Sequence, residues 1–425
     1  MKIIKIDGLK ILVSLYLFFA FSYCSIWGYW IFQNRALEMV YGGFIFLSAV
    51  FTLLNNPIQK KAISILMILI YFVLIVSKAS FTYLLFFGGI LVMVAVGIKS
   101  KYIEFFARTV NFFCCLQIIG MLVCKFLPQV YIHLFLPAFS GVDYYSKLYD
   151  SIMMGGTNIG FTCQNAHFAG FMVLGIANRI CLYKDNKRYL KFRTTVYLIL
   201  SVFGLYLSGK RAHFGFCFLA LLITYYYMVY LKGKNNSRLN RAVGLITISS
   251  AGFFCLWIVS FLVEGTLINE IFDTIGSLGD SNVDVTTGRV DFWLVAIQLF
   301  KSNPILGIGW KKFFELKFYG QSYDVHNIYL QLLCETGIIG TMIFVLFFIV
   351  FIRKTLKIIR NRNTEASSKR IAILSLFYQI FFLLYGITGN PLYDSSYYKF
   401  YFILAAFING ISSATDNDIS MRRKK

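Results

Sequence analysis

The chain has 425 residues, of which 58% are hydrophobic and only 14% charged, with 45 Phe and 28 Tyr. A soluble protein of this size carries about a quarter charged residues, so the composition excludes an ordinary water-soluble enzyme. The net charge of +22 raises nucleic acid as a partner, but the basic residues gather in alternate loops (Lys60-Lys61, Lys99 with Lys101, Lys184 to Arg193, Lys232 to Arg241, Arg353 to Arg370, Arg422 to Lys425), which is a topology signal.

Apolar runs long enough to cross hydrocarbon recur from end to end. They predict an all-α, polytopic helical membrane protein with about twelve transmembrane helices, near 10–32, 37–55, 62–78, 80–98, 103–125, 165–182, 194–208, 213–231, 243–263, 333–352, 371–388 and 398–413. No small-residue cleavage site follows the first run, so it reads as a retained span. The alternating basic loops put both termini in the cytoplasm, facing anionic lipid, in a single integral membrane domain, 1–425. The nine cysteines lie mostly inside spans and show no CxxC spacing, so they read as apolar fillers, with no metal site expected. Cys163 and Cys334 fall near the outer face.

Two long loops then lie outside, 126–164 and 264–332, and long loops in compact proteins usually carry function. The first is aromatic and Gly-rich. Within the second, a helix is predicted near 287–302, with Thr286 or Thr287 as cap and Asp291 in the first turn. Val290, Trp293, Leu294 and Ile297 share its apolar face, and Pro304, Gly307 and Gly309 end it. The loop closes at Asp324 to Asn327, where a carboxylate, an imidazole and an amide stand at the mouth of a long apolar segment. Polar groups in such a place cost free energy unless they act.

Three outer positions do not fit the positive-inside pattern: Arg211 with Lys210 in the short turn Leu207 to His213, Arg289 at the surface helix, and His326. Guanidinium forks suit an anionic group such as a pyrophosphate, and each charge-assisted bond is worth about 1.5–3 kcal/mol. Each has a plain structural alternative: Arg289 paired with Asp291, Lys210-Arg211 as a solvated turn, His326 satisfying a loop carbonyl, Glu335 as a cap. Asn165 and His167 open another span from outside, and Tyr393 to Tyr401 read as an interfacial belt or a sugar platform. All are expected on one side of the bilayer, which points to one external cavity.

The later half resembles the O-antigen ligase and Wzy-type polysaccharide polymerase family. The matching motifs are Ser208-Gly209-Lys210-Arg211, Gly288-Arg289 before Trp293, the Pro304 to Gly309 run, His326-Asn327, and Glu335-Thr336-Gly337-Ile338-Ile339-Gly340. Lys210 stands where many relatives have a small residue. The resemblance implies a C-type glycosyltransferase bundle in a bacterial plasma membrane, its active site facing outside, using an undecaprenyl-diphosphate-linked glycan without metal or other cofactor. Arg211 and Arg289 would hold the diphosphate, and His326 would activate or orient the acceptor. Lys210, Asn327, Asn165, His167, Glu335 and Trp293 would contribute to substrate binding. Polymerisation of repeat units is the first reading, with a flippase and a chain-length regulator as further partners. Transfer to lipid A core by a ligase stays open. A lipid-linked oligosaccharide flippase is the third reading, opposed by predicted mid-spans almost free of charge.

Overall fold

A computed structural model of the chain describes residues 7–142, 145–156, 158–182, 188–232, 289–318 and 321–423, and these are almost entirely helical. Among the described residues four helices are long and apolar enough to cross a membrane: Arg35–Asn55, Ser100–Phe126, Ile328–Arg360 and Ala366–Tyr385. Three shorter apolar helices, Gly8–Ser22, Ala62–Val76 and Phe81–Val96, pack among them, and Asn165–Leu182, Arg188–Leu207, Arg211–Lys232 and Ser395–Arg423 complete the bundle. The expected span 243–263 lies outside the described residues, as do Thr286, Thr287 and Gly288.

Local sequence sets the helix ends. Asn34 caps Arg35–Asn55 by accepting from the amides of Ala36 and Leu37 at 3.0 and 3.2 Å, and Ser80 caps Phe81–Val96 through Tyr83 at 3.3 Å. The outward faces stay apolar: Phe44, Phe46, Leu47, Ile65, Phe72, Met342 and Leu346 are all exposed. Bare apolar stripes on helices whose backbone is internally bonded are what lipid tolerates. The protein is therefore a helical membrane protein. Its centre is Ser395–Arg423, where every residue from Ser396 to Asn409 is buried.

Three departures from the expected elements have clear causes. The first expected span, 10–32, breaks after Ser22, because the backbone at Cys24 to Ile26 pairs with the outer loop: Cys163 N donates to Cys24 O at 2.8 Å and Ile26 N to Phe161 O at 3.1 Å. Cys163 thus sits beside Cys24, whereas Cys334 packs with Ala296, Phe313 and Val325. The loop 126–164 is itself folded, with helices Pro128–Leu134 and Tyr145–Met153 closing a small apolar core around Tyr131 and Phe139. Lastly, Arg289–Ser302 buries Ala296 and half-buries Phe292, Trp293 and Leu299, while Val290, Leu294 and Ile297 of the expected apolar face are exposed. The helix has two apolar sides, and packing against Phe313 and Val325 selects the other one.

The decisive local device is the kink in Ile328–Arg360. Gly337 adopts φ 64, ψ −170, a conformation open essentially to glycine alone. The kink breaks the helical bonds of Ile338 and Ile339, whose amides turn instead to the carbonyls of Pro304 (2.9 Å) and Ile305 (3.4 Å). The carbonyls left behind, Cys334 and Glu335, accept from Ile308 (2.8 Å) and Gly309 (2.9 Å). All four groups are re-paired, which an apolar surrounding demands. The two glycine motifs of the sequence are therefore the two halves of one joint.

Candidate active site

The joint carries a cavity of ≈ 660 Å³ whose wall includes Lys210, Arg289 and His326. Three separate segments deliver them. Ser208-Gly209-Lys210-Arg211 is a tight turn: Gly209 has φ 68, and Ser208 Oγ accepts from the Lys210 amide at 3.2 Å. Arg289 opens its helix at the cavity edge. His326 itself lies in the left-handed region, φ 54, held there from both sides. On one side Trp293 Nε1 donates to the Val325 carbonyl at 3.1 Å; on the other Gln331 bonds the Val325 amide (3.3 Å) and the Asp324 carboxylate (3.2 Å). A non-glycine residue in this region costs roughly 1–3 kcal/mol, which the surrounding bonds hold in place.

The electrostatics of the three groups are mutual. Burial, and then the nearby Arg289 charge, depresses the Lys210 ammonium. Burial, and then Arg289 and Lys210, holds the His326 imidazolium below the usual histidine range, with Asp324 opposing. Arg289 is lowered by burial and by Arg211, yet a guanidinium stays charged. Arg211 is exposed and outside the cavity wall, but within electrostatic reach of Arg289. The ensemble sets cations around an imidazole whose protonation burial opposes, an arrangement suited to a multiply charged anion.

The other expected residues divide. His167 lines the cavity, with Nδ1 3.3 Å from Asp394. Asn165 is half-buried and does not line it. Asn327 is spent on structure: Oδ1 caps Ile328–Arg360 through Tyr329 and Leu330, both at 3.1 Å, and Nδ2 donates to Ile387 O. Trp293 is a brace for the His326 loop. Glu335, fully buried, accepts from the amides of Lys311 (2.7 Å) and Phe313 (3.2 Å) and from Gln331, so it anchors the turn after Gly309. These three shape the site from behind its wall. Tyr393, Tyr397, Tyr398 and Tyr401 are buried in protein instead of forming a lipid-facing belt, and Tyr393 and Tyr398 line the cavity.

Sequence reading passed over several wall residues: Glu38, Lys311, His213 and Asp394. Asp394 had a signal, an acid before Ser395-Ser396 at the outer start of the last span. Lys399, at the start of the expected span 398–413, is fully buried, its ammonium 3.0 Å from the centre of the Phe19 ring. Among the described residues no group of His, Cys, Asp and Glu is arranged to hold a metal ion.

Residues 196–345 match the family model described as O-antigen ligase. No curated protein matches the chain. The matched stretch holds the Ser208–Arg211 turn, Arg289, the Pro304–Gly309 joint, His326 and the Glu335–Gly340 kink, that is, the cationic side of the cavity with its supports. His167, Tyr393 and Asp394 lie outside it. The chain is a helical membrane protein in which residues 196–345 are similar to the O-antigen ligase family.

Proposed function

We propose that the protein is a glycosyltransferase that polymerises undecaprenyl-diphosphate-linked repeat units into capsule, O-antigen or exopolysaccharide on the outer face of a bacterial plasma membrane. One observation carries this reading: Arg289 and Lys210 meet His326 at one cavity, with Arg211 in electrostatic reach. Glycosyl transfer from a lipid diphosphate needs two things. Negative charge building on the leaving diphosphate must be neutralised, and side-chain cations fixed in a half-buried site do this without reorganising. The acceptor hydroxyl must lose its proton to, or be oriented by, a neutral base. The cations of this site serve the first, and an imidazole of the cavity wall serves the second.

The basic loops Lys60-Lys61 and Arg353 to Arg370 support this orientation, since the positive-inside rule assigns such loops to the cytoplasmic side. A second reading, transfer of a finished glycan to lipid A core, is favoured by the description of the matched family itself. Deleting the protein separates these from transport. Single lipid-linked repeat units accumulating outside mean polymerase, long lipid-linked chains mean ligase, and units trapped inside mean flippase and end the proposal.

A further inference from the structure

Three histidines line the cavity, and two of them, His326 and His167, sit in different electrostatic settings. His326 faces the cations Arg289 and Lys210, opposed by the Asp324 carboxylate. His167 faces a carboxylate, with Nδ1 buried 3.3 Å from Asp394 Oδ2. The other oxygen of that carboxylate is fixed: Oδ1 accepts from the Ser396 amide at 2.8 Å, capping the start of the last helix, so the rigid helix aims Oδ2 at the imidazole. The contact lies at ion-pair distance without the alignment of a full hydrogen bond. Catalytic bonds are often loose before substrate arrives and tighten in the complex. With Nδ1 buried against Asp394, Nε2 is the ring nitrogen left for the cavity that His167 lines.

Resting on the transferase reading above, we propose that His167, oriented by Asp394, is the general base that deprotonates the acceptor sugar hydroxyl, and that His326 serves the diphosphate. An imidazole beside two fixed cations resists a second positive charge, whereas one backed by a carboxylate accepts it. The division balances the step. The acceptor O–H proton moves to His167 Nε2 as the new O–C1 bond forms. The C1–O bond to the lipid diphosphate breaks, its electron pair leaves with the phosphate, and that charge falls beside Arg289, Lys210 and His326. The imidazolium left at His167 is neutralised by Asp394 and passes its proton to water.

The groups facing His167 from neighbouring elements are Asp394 of the last helix, Lys210 of the turn, Cys163 of the preceding loop and His213 of Arg211–Lys232. His213 is held apart from proton traffic, its Nε2 bonded to Tyr397 Oη at 2.6 Å, and Tyr397 Oη also donates to the Ala166 carbonyl at the start of the His167 helix. That clamp fixes the backbone from which His167 projects.

The test uses the full-length protein in detergent with repeat units, linked to undecaprenyl diphosphate, taken from a strain lacking it. If the wild type releases no undecaprenyl diphosphate and builds no chain, the parent reading fails and takes this one with it. Given wild-type turnover, His167→Ala lowers kcat by about 10²–10⁴-fold while undecaprenyl diphosphate alone still binds with wild-type Kd. Asp394→Asn, which keeps the helix cap, moves the acid limb of kcat/KM to lower pH, and Asp394→Glu restores part of the shift. His326→Ala instead raises the Kd for undecaprenyl diphosphate. An acid limb unmoved by Asp394→Asn, or one abolished by His326→Ala and kept in His167→Ala, overturns the assignment.

Discussion

A Cβ atom placed on Gly337 would lie 2.2 Å from the carbonyl oxygen of Ile305, a separation no side chain survives. The reverse holds at Gly307, where a Cβ would meet the Glu335 carbonyl carbon at 2.4 Å. Backbone touches backbone here because four hydrogen bonds cross the joint, and the joint sets both the His326 helix and the turn that carries Lys311 into the cavity.

Gly337→Ala should therefore reduce folded protein more than an exposed helix substitution does. Left-handed backbone strain alone costs about 1–3 kcal/mol, and the clash with main chain adds to it. The expected result is a lower melting temperature in detergent and loss of the monodisperse peak in size exclusion. Wild-type melting would show that the joint gives way more easily than its geometry implies.

Glu335 leads to a different kind of loss. Its carboxylate satisfies two buried amides, those of Lys311 and Phe313, and Glu335→Ala leaves both donors orphaned at about 1–3 kcal/mol each. Glu335→Gln, which retains one acceptor oxygen, should lie between alanine and wild type in thermal unfolding. Activity should follow stability in this series, since the side chain does not line the cavity.

Arg289 tests the diphosphate grip. Removing one charge-assisted contact of about 1.5–3 kcal/mol corresponds to roughly 10–150-fold in Kd. Arg289→Ala should weaken undecaprenyl diphosphate binding by that order, and Arg289→Lys should recover only part, because an ammonium lacks the two-pronged fork. Equal binding by Arg289→Lys and wild type would reduce the guanidinium to a point charge.

The pH dependence of binding has a sign that His326 sets. Burial first, then Arg289 and Lys210, keeps its imidazolium below the usual histidine range in the empty site. A bound diphosphate favours the imidazolium, so the complex takes up a proton and affinity rises as pH falls through that range. The glycan-linked diphosphate, whose phosphates are each singly ionised, is the ligand to use. His326→Ala should flatten the titration, and a wild-type affinity that weakens on acidification between pH values of about 7 and 6 would contradict this.

Much of this protein was legible before any coordinates. Composition and span length specify a helical membrane bundle, since hydrocarbon accepts no other open arrangement of backbone. Arg211 with Lys210, Arg289 and His326 stood out because such groups outside the basic loops need a reason to be there; Lys210, Arg289 and His326 line one cavity, and Arg211 lies outside its wall. The family motifs were legible as well, because each is a local requirement of turn, cap or glycine.

What remained hidden was whatever depended on contact between distant segments. Whether Trp293, Asn327 and Glu335 touch the cavity or support it from behind follows from which hydrogen bonds they complete, and those partners, Val325, Ile387 and Lys311, lie on other segments. The inward face of Arg289–Ser302 was ambiguous because both its sides are apolar, and only packing chose. Asp394 and His167, 227 positions apart by their own numbering, acquire a joint meaning only when the last helix crosses the bundle. Periodicity and motif are properties of neighbours along a chain, whereas the electrostatic setting of a buried imidazole belongs to whatever the fold brings beside it.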